Sequence, residues 1–324
     1  MRRNFFEDFA YRESREPDAQ YGDLLRRLAD RGRVAVSGMD IDSVMVPMHY
    51  MEFDLSNGFP AITERDLTRG TSPEIIANYQ SNPDRRPLAG PLKQGMAEML
   101  AFMNGAVTQQ ELKEWGCSFW TPWLTHEKTS KRGLPDGHLG LGSYGAAFHA
   151  FPTDTGTPFD QYEALVGQIR DRPELRTHIV TPFVPDKITR APGHQQKTVV
   201  VPCHGLQHFI VDLATGTIDL HHFQRSGDVP VGVPYNMTGY AAVLMMVAQV
   251  TGYKPGALRH IISDAHYYTT SQPAVEELVT RDPYPFPKLH INPEIKELRD
   301  FRVSDFEIEG YVAHPPMKVG EVAV

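Results

Sequence analysis

The chain has 324 residues, of which 41% are hydrophobic and 22% charged, enough apolar matter to bury a sizeable core. Its formal net charge of −8, with Lys and Arg scattered among carboxylates, excludes the basic field that holds a nucleic-acid backbone. Any phosphate it binds is then a single group met by a few placed arginines. The first residues, MRRNFFEDFAYRESREPD, are charged throughout, and no run of about 18 apolar residues occurs, so a soluble, cytoplasmic protein with no membrane partner is expected. Two cysteines, Cys117 and Cys203, are too few for a disulfide framework. Neither lies in a CxxC or HExxH pattern and the histidines are dispersed, so no metal is expected.

In chain order, residues 21–31 (YGDLLRRLADR) set Leu24, Leu25 and Leu28 at helical spacing with Gly32 as the stop, predicting a first helix. Residues 44–55 (VMVPMHYMEFDL) are rich in strand formers and are closed by the turn Asn57-Gly58. Around 66–91 and 126–138 the chain turns polar, with several Pro and Gly residues, and predicts surface insertions. Residues 94–104 read as a helix through Met96, Met99, Leu100 and Met103, with Glu98 in its interior. The runs FIVDL and IDLHHF flank Ala214-Thr215-Gly216-Thr217 and predict a hairpin over 209–224, which leaves Cys203 at the entry to a sheet. Residues 237–250 are apolar nearly all round, as in a buried central helix. No repeat or linker marks a boundary, so residues 1–324 are expected to form a single domain of the α+β class. No GxGxxG follows a strand, so nucleotide binding, if present, must use side chains.

A buried cysteine alone is more often a small hydrophobe than a nucleophile. The company of Cys203 changes that reading. PCHGLQHF around it, QRSGDVPVGVPYNMTGY over 224–240, SDAHYY over 263–268 and the closing DFEIEGYVAHPPMKVGEVAV stand in the order of four segments of the folate-dependent thymidylate synthases. From about residue 20 to its end the chain resembles that family, the polar insertions excepted. The resemblance implies a thymidylate synthase-like fold, a large mixed sheet packed by a buried central helix, and a homodimer formed through the sheet. It implies Cys203 as a thiolate that adds to carbon 6 of a pyrimidine, so that carbon 5 can attack a methylene carried by 5,10-methylenetetrahydrofolate. Glu98 would order water and assist proton movements, joined in catalysis by Tyr144, Asn236 and Asp228. Arg225, Ser226, Arg176, His204, Asn236, His266 and Tyr268 would bind a pyrimidine nucleoside monophosphate, Arg176 from across the interface. Asp228, Trp120, Trp123, Gly232 and Val324 would hold the folate. His266 and Tyr268, two apart, share one face of a strand.

The chain also departs from the pattern. The family's Arg-Thr-Gly-Thr phosphate loop falls near Gly38-Met39-Asp40-Ile41, and of its interface arginine pair only Arg176 survives, followed by Thr177. Arg31, Arg33, Lys128, Lys131 and Arg132 are candidates to replace the missing cations. The family's folate-side Thr-Thr-Lys becomes Ile62-Thr63-Glu64. Asn236 on its face reads uracil, but an amide can be flipped to read cytosine, and the neighbours that orient it are altered: Gly239 replaces a serine, and Gln207 and His208 shift the usual glutamine. These departures favour the family's other output, 5-hydroxymethylation, with CMP the favoured substrate and dUMP or dCMP possible. A true thymidylate synthase and an inactive nucleotide- or RNA-binding homologue are the rival expectations.

Overall fold

A computed structural model describes residues 3–36 and 41–320. The helices are α1 (Gln20–Arg31), α2 (Pro73–Ala77), α3 (Gly90–Met103), α4 (Gln109–Trp115), α5 (His126–Ser130), α6 (Tyr144–His149), α7 (Gln161–Asp171), α8 (Pro185–Ile188), α9 (Val233–Thr251) and α10 (Gln272–Leu278). The strands are β1 (Arg33–Ala35), β2 (Ser43–Asp54), β3 (Arg86–Pro87), β4 (His178–Val180), β5 (Leu206–Asp212), β6 (Thr217–Asp228), β7 (Lys254–Tyr268), β8 (Lys288–Ile291) and β9 (Phe306–Glu309). β1-β2-β7-β6-β5-β4 form a six-stranded mixed sheet, and β3-β9-β8 a three-stranded one. This is the expected α+β fold with its large mixed sheet.

α1 buries Tyr21, Leu24, Leu25 and Leu28 and ends at Gly32, whose N–H caps Leu28 O. α3 starts earlier than its apolar period alone indicates, because Pro91 lies at the helix start, where its missing N–H costs nothing. α9 is buried almost all round and ends on Gly252 in the left-handed conformation, so it is the central core helix. The hairpin is β5–β6, turning at 213–216. Of residues 66–91, Asp66, Leu67 and Thr68 are buried, and Thr71–Glu74 are exposed.

One topological feature positions the site. β6 and β7 are parallel while every other neighbouring pair in the large sheet is antiparallel. A parallel pair needs a long crossover, and α9 is that crossover. The C-terminal ends of β6 and β7 and the N-terminus of α9 therefore meet on one side of the sheet, where ligands of open α/β units bind.

Candidate active site

The β6–β7 register pairs Ser226 with Asp264 and Asp228 with His266. Ser226 Oγ donates to Asp264 Oδ2 at 2.7 Å, and Tyr268 sets its ring edge-on to His266 with centroids 5.1 Å apart. His266 and Tyr268 thus share a face, as their spacing requires. Four residues beyond Asp228, Gly232 donates its N–H to Asp228 O at 2.9 Å, and Asn236 N donates to Gly232 O at 3.1 Å. This first turn of α9 carries the Asn236 amide to the same corner, 8% exposed.

Cys203 stands just before β5, and its carbonyl accepts from Arg225 N at 2.7 Å. Arg225 reaches back: Nε donates to Pro202 O at 3.2 Å, and Nη2 lies 3.5 Å from Cys203 Sγ. Burial pushes the thiol up, and the guanidinium, which pulls it down, does not overcome that in the free protein. Tyr144 OH accepts from Cys203 N at 2.6 Å and from His204 N at 3.4 Å, fixing the backbone at the thiol. Its ring stacks between Phe102 and His204. That position demands Gly145 next door, where a Cβ would stand 2.0 Å from Ala106 O. His204 Nδ1 bonds Tyr240 OH at 2.7 Å, and burial keeps its ring neutral, with a pKa down at about 3.

Glu98 lies on the buried face of α3, where Oε1 accepts from Trp120 Nε1 at 2.5 Å. Desolvation lifts its carboxyl to about 7, opposed by that indole. It can therefore take up or release a proton near neutrality. Trp123 packs on Trp120 with centroids 5.8 Å apart. No side chain donates to either buried carboxylate oxygen of Asp228, and burial lifts it to about 6. The nearby His266 and the Val231 backbone pull the other way, and no side chain of the free protein donates to the carboxylate, which leaves it able to accept from a ligand.

Other expected residues stand apart. Arg176 is exposed in the turn before the edge strand β4, and its carbonyl accepts from His208 Nε2 at 3.0 Å. Val324 and residues 38–40 of the phosphate-loop region lie outside the described residues. Arg31 and Arg33 are exposed on α1 and β1. Lys128 donates to Pro122 O at 3.1 Å. Lys131 and Arg132, with Arg190 and His194, line a cavity of about 530 Å³. Glu64 is turned inward, 1% exposed, with Thr63 N donating to its Oε2 at 3.0 Å, and desolvation lifts it to about 7. It therefore shows no charge to a ligand at the surface. Among the described residues, no group of three or more His, Cys, Asp or Glu side chains is set to hold a metal, and no helix is long and apolar enough to cross a membrane.

Gln224, His222, His260, Tyr240 and Asp264 also belong to this corner, and the sequence reading did not single them out. Their signal was available in part, since His222 and Gln224 fall where strand alternation calls for apolar side chains. Their meeting with His260 needs the β6–β7 register. The thymidylate synthase family model matches residues 19–324, nearly the whole chain, so folate-dependent transfer of a one-carbon unit to a pyrimidine nucleotide is the chemistry of this fold. The chain belongs to the thymidylate synthase family.

Proposed function

We propose that this chain 5-hydroxymethylates a pyrimidine nucleoside monophosphate, CMP first, with dUMP or dCMP as alternatives. It resembles the CMP 5-hydroxymethylase MilA of mildiomycin biosynthesis in size and in its divergence from the housekeeping enzymes, and acts in the cytoplasm. The observation that carries this reading is Glu64: the family's folate-side lysine is replaced by a carboxyl that turns into the core. Departures of that kind fit an enzyme released from the second task of a thymidylate synthase, reduction of the methylene by hydride.

In the proposed reaction the folate supplies, when bound, a methylene carbon for carbon 5. Cys203 gives up its proton and bonds to carbon 6 as the nucleotide enters, with Arg225 at 3.5 Å holding the thiolate charge. Tyr144, through the Cys203 N–H, and His204, through Tyr240, keep that segment still. Glu98 moves the proton lost from carbon 5 and orders the water that adds to the exocyclic methylene. Loss of the carbon 5 proton expels the folate amine as tetrahydrofolate, which keeps the electron pair of its bond to the methylene. The water oxygen then becomes the new hydroxyl, the carbon 6–sulfur bond breaks, and the proton released by the water restores the Cys203 thiol. Asn236 reads the base, His266 and Tyr268 meet the sugar hydroxyl, and Arg225 and Ser226 meet the phosphate. Asp228, Gly232, Trp120, Trp123 and the C-terminal Val324 form the folate side.

The active unit is a homodimer in which Arg176 crosses to the second site. The outer face of the large sheet supports this: Tyr50, Ile261 and Phe223 fall in one cross-strand row, and Met48, Tyr50 and Ile179 are exposed large apolar side chains. The reading is tested by offering CMP, dCMP, UMP and dUMP with the folate and weighing the products. Gain of a CH2O unit, with no dihydrofolate absorbance, is the expected result. Gain of CH2 with dihydrofolate marks a thymidylate synthase, and reaction of dUMP alone overturns CMP as the substrate.

A further inference from the structure

On the face of β6 that packs toward α9, the buried positions run Ile218, Leu220, His222, Gln224. An apolar stripe thus turns polar as it nears the site. β7 answers in register, with His260 beside His222. Burying two imidazoles and an amide costs free energy unless every polar atom is met, and here the partners form one continuous line. Gly205 N donates to His222 Nε2 at 3.0 Å. His222 Nδ1 faces His260 Nδ1 at 3.4 Å. His260 Nε2 meets Gln224 Oε1 at 2.9 Å. Gln224 Nε2 in turn donates to Asn236 Oδ1 at 2.9 Å and to Ser226 O at 3.1 Å.

The direction of this line follows from its two backbone ends. A backbone N–H can only donate, so His222 Nε2 is the bare nitrogen and its proton sits on Nδ1. That proton points at His260 Nδ1, which must then be bare, so His260 carries its proton on Nε2 and gives it to Gln224 Oε1. At the far end the Ser226 carbonyl can only accept, which independently turns the Gln224 NH2 the same way. Asn236 is left with Oδ1 committed to Gln224 and Nδ2 free to donate. Both rings must be neutral, since two protonated Nδ1 atoms cannot face each other. Burial keeps them so, with His260 at about 3 and His222 well below the ordinary histidine value. Tyr240 stacks on His222 with centroids 3.7 Å apart and holds its plane. Gly205 has φ +111°, and a Cβ there would stand 2.9 Å from Tyr240 OH, so glycine is required where the line begins.

We propose that His222 and His260 are positioning residues for base choice: they lock the Gln224 amide, and through it Asn236, in one orientation, so that the site accepts only one of the two pyrimidine edges. Cytosine and uracil differ at that edge by an exchange of donor and acceptor, and an amide free to flip reads both. The inference rests on Asn236 as the reader of the base in the reaction proposed above.

The test compares cytosine with uracil nucleotides, CMP against UMP and dCMP against dUMP, by binding and by kcat/KM, in the wild type, His260→Leu and His260→Gln. The wild type is expected to prefer one base, and His260→Leu, which leaves the Gln224 amide held by the Ser226 carbonyl alone, to cut that preference by about 10- to 100-fold. His260→Gln keeps a donor toward Gln224 and an acceptor toward His222, and is expected to restore the preference. A folded His260→Leu protein with the wild-type ratio overturns the proposal, as does a wild type that takes both bases equally. Nitrogen-15 spectra of the histidines test the line without turnover. The Nδ1–H form of His222 and the Nε2–H form of His260 are expected, and the opposite forms or a protonated ring overturn it. A wild type that transforms no pyrimidine nucleotide sinks the reaction proposed above, whereas these spectra still decide on the line.

Discussion

At the base end of the site, Asn236, Gln224, His222 and His260 are at most 8% exposed, and each side chain touches the next within one chain. At the phosphate end, Arg225 is exposed, Arg176 stands off on the edge of the sheet, and Lys131, Arg132 and Arg190 line a separate cavity. Selecting a base takes fixed donors and acceptors, which only a packed interior holds to the tolerance of a hydrogen bond. Holding a phosphate takes charge, which works from exposed side chains and can arrive from a second subunit. In the proposed reaction the base end is therefore built within one chain, and the phosphate end is the part that the proposed homodimer and its ligand would finish.

The largest effect is expected where the two ends meet, at Cys203. Cys203→Ala should lower turnover roughly 10,000-fold or more, because no other group supplies the bond to carbon 6. Release of the carbon 5 hydrogen should fall with it, while nucleotide binding persists. Exchange of that hydrogen at the wild-type rate would remove Cys203 from the mechanism. Next comes Glu98→Gln, expected to cost about 100- to 10,000-fold in kcat. Desolvation lifts Glu98 to about 7, so the wild-type kcat/KM profile should bend near that pH and the variant's should not. An unchanged bend would assign it to another group.

The same contrast decides how much could be read before the fold was known. Cys203, Arg225, Ser226, Asp228, Asn236 and His266 lie in short contiguous segments, and their grouping follows once β6, α9 and β7 are in place. The helices α1, α3 and α9 were legible because their apolar spacing is strong. The line through His222 and His260 was not, because residues 38 apart meet only through a parallel register that single-strand periodicity does not encode. The burial of Glu64 was not legible either, since it depends on a bend that places the carboxyl under α1 beside Gly22. The upward push on the Cys203 thiol was not legible for a related reason, as desolvation is a property of the packed site and not of a motif.

A smaller effect separates the phosphate end from the base end directly. Arg176→Ala should raise the KM for the nucleotide by about 10- to 100-fold and leave the cytosine-to-uracil ratio alone. Mixing it with Cys203→Ala chains tests the shared site: half the dimers are mixed and each keeps one intact site of two, so about a quarter of wild-type activity should return. The readout is taken at nucleotide concentrations well below KM, and no recovery in the mixture would mean that Arg176 does not cross to the second site.

The smallest expected effect is thermal and comes from the folate side. Asp228 is lifted from 3.8 to about 6, chiefly by burial, with His266 and Arg65 pulling the other way. A carboxyl whose folded value lies above its unfolded one stabilises the fold in its protonated form. That advantage is full below about pH 4 and is lost as the pH rises through 6. At pH 8 the folded protein carries the cost of a buried charge, on the order of 3 kcal/mol, that the unfolded chain does not. Glu98 and Glu64, both lifted to about 7, act in the same direction, so stability should fall as the pH rises from 5 to 8. Asp228→Asn removes the charge and leaves a buried amide whose own unmet bonds offset part of the gain. It should therefore raise Tm by about 2–4 °C at pH 8 and change it little at pH 5. Because Asp228 is also the proposed folate acceptor, the variant should lose affinity for the folate while gaining stability. A Tm that is unchanged at pH 8, or a gain that grows at low pH, would mean that His266 and the Val231 backbone already compensate the Asp228 charge in the free protein, and Asp228 would then lose its role as an acceptor held for the folate.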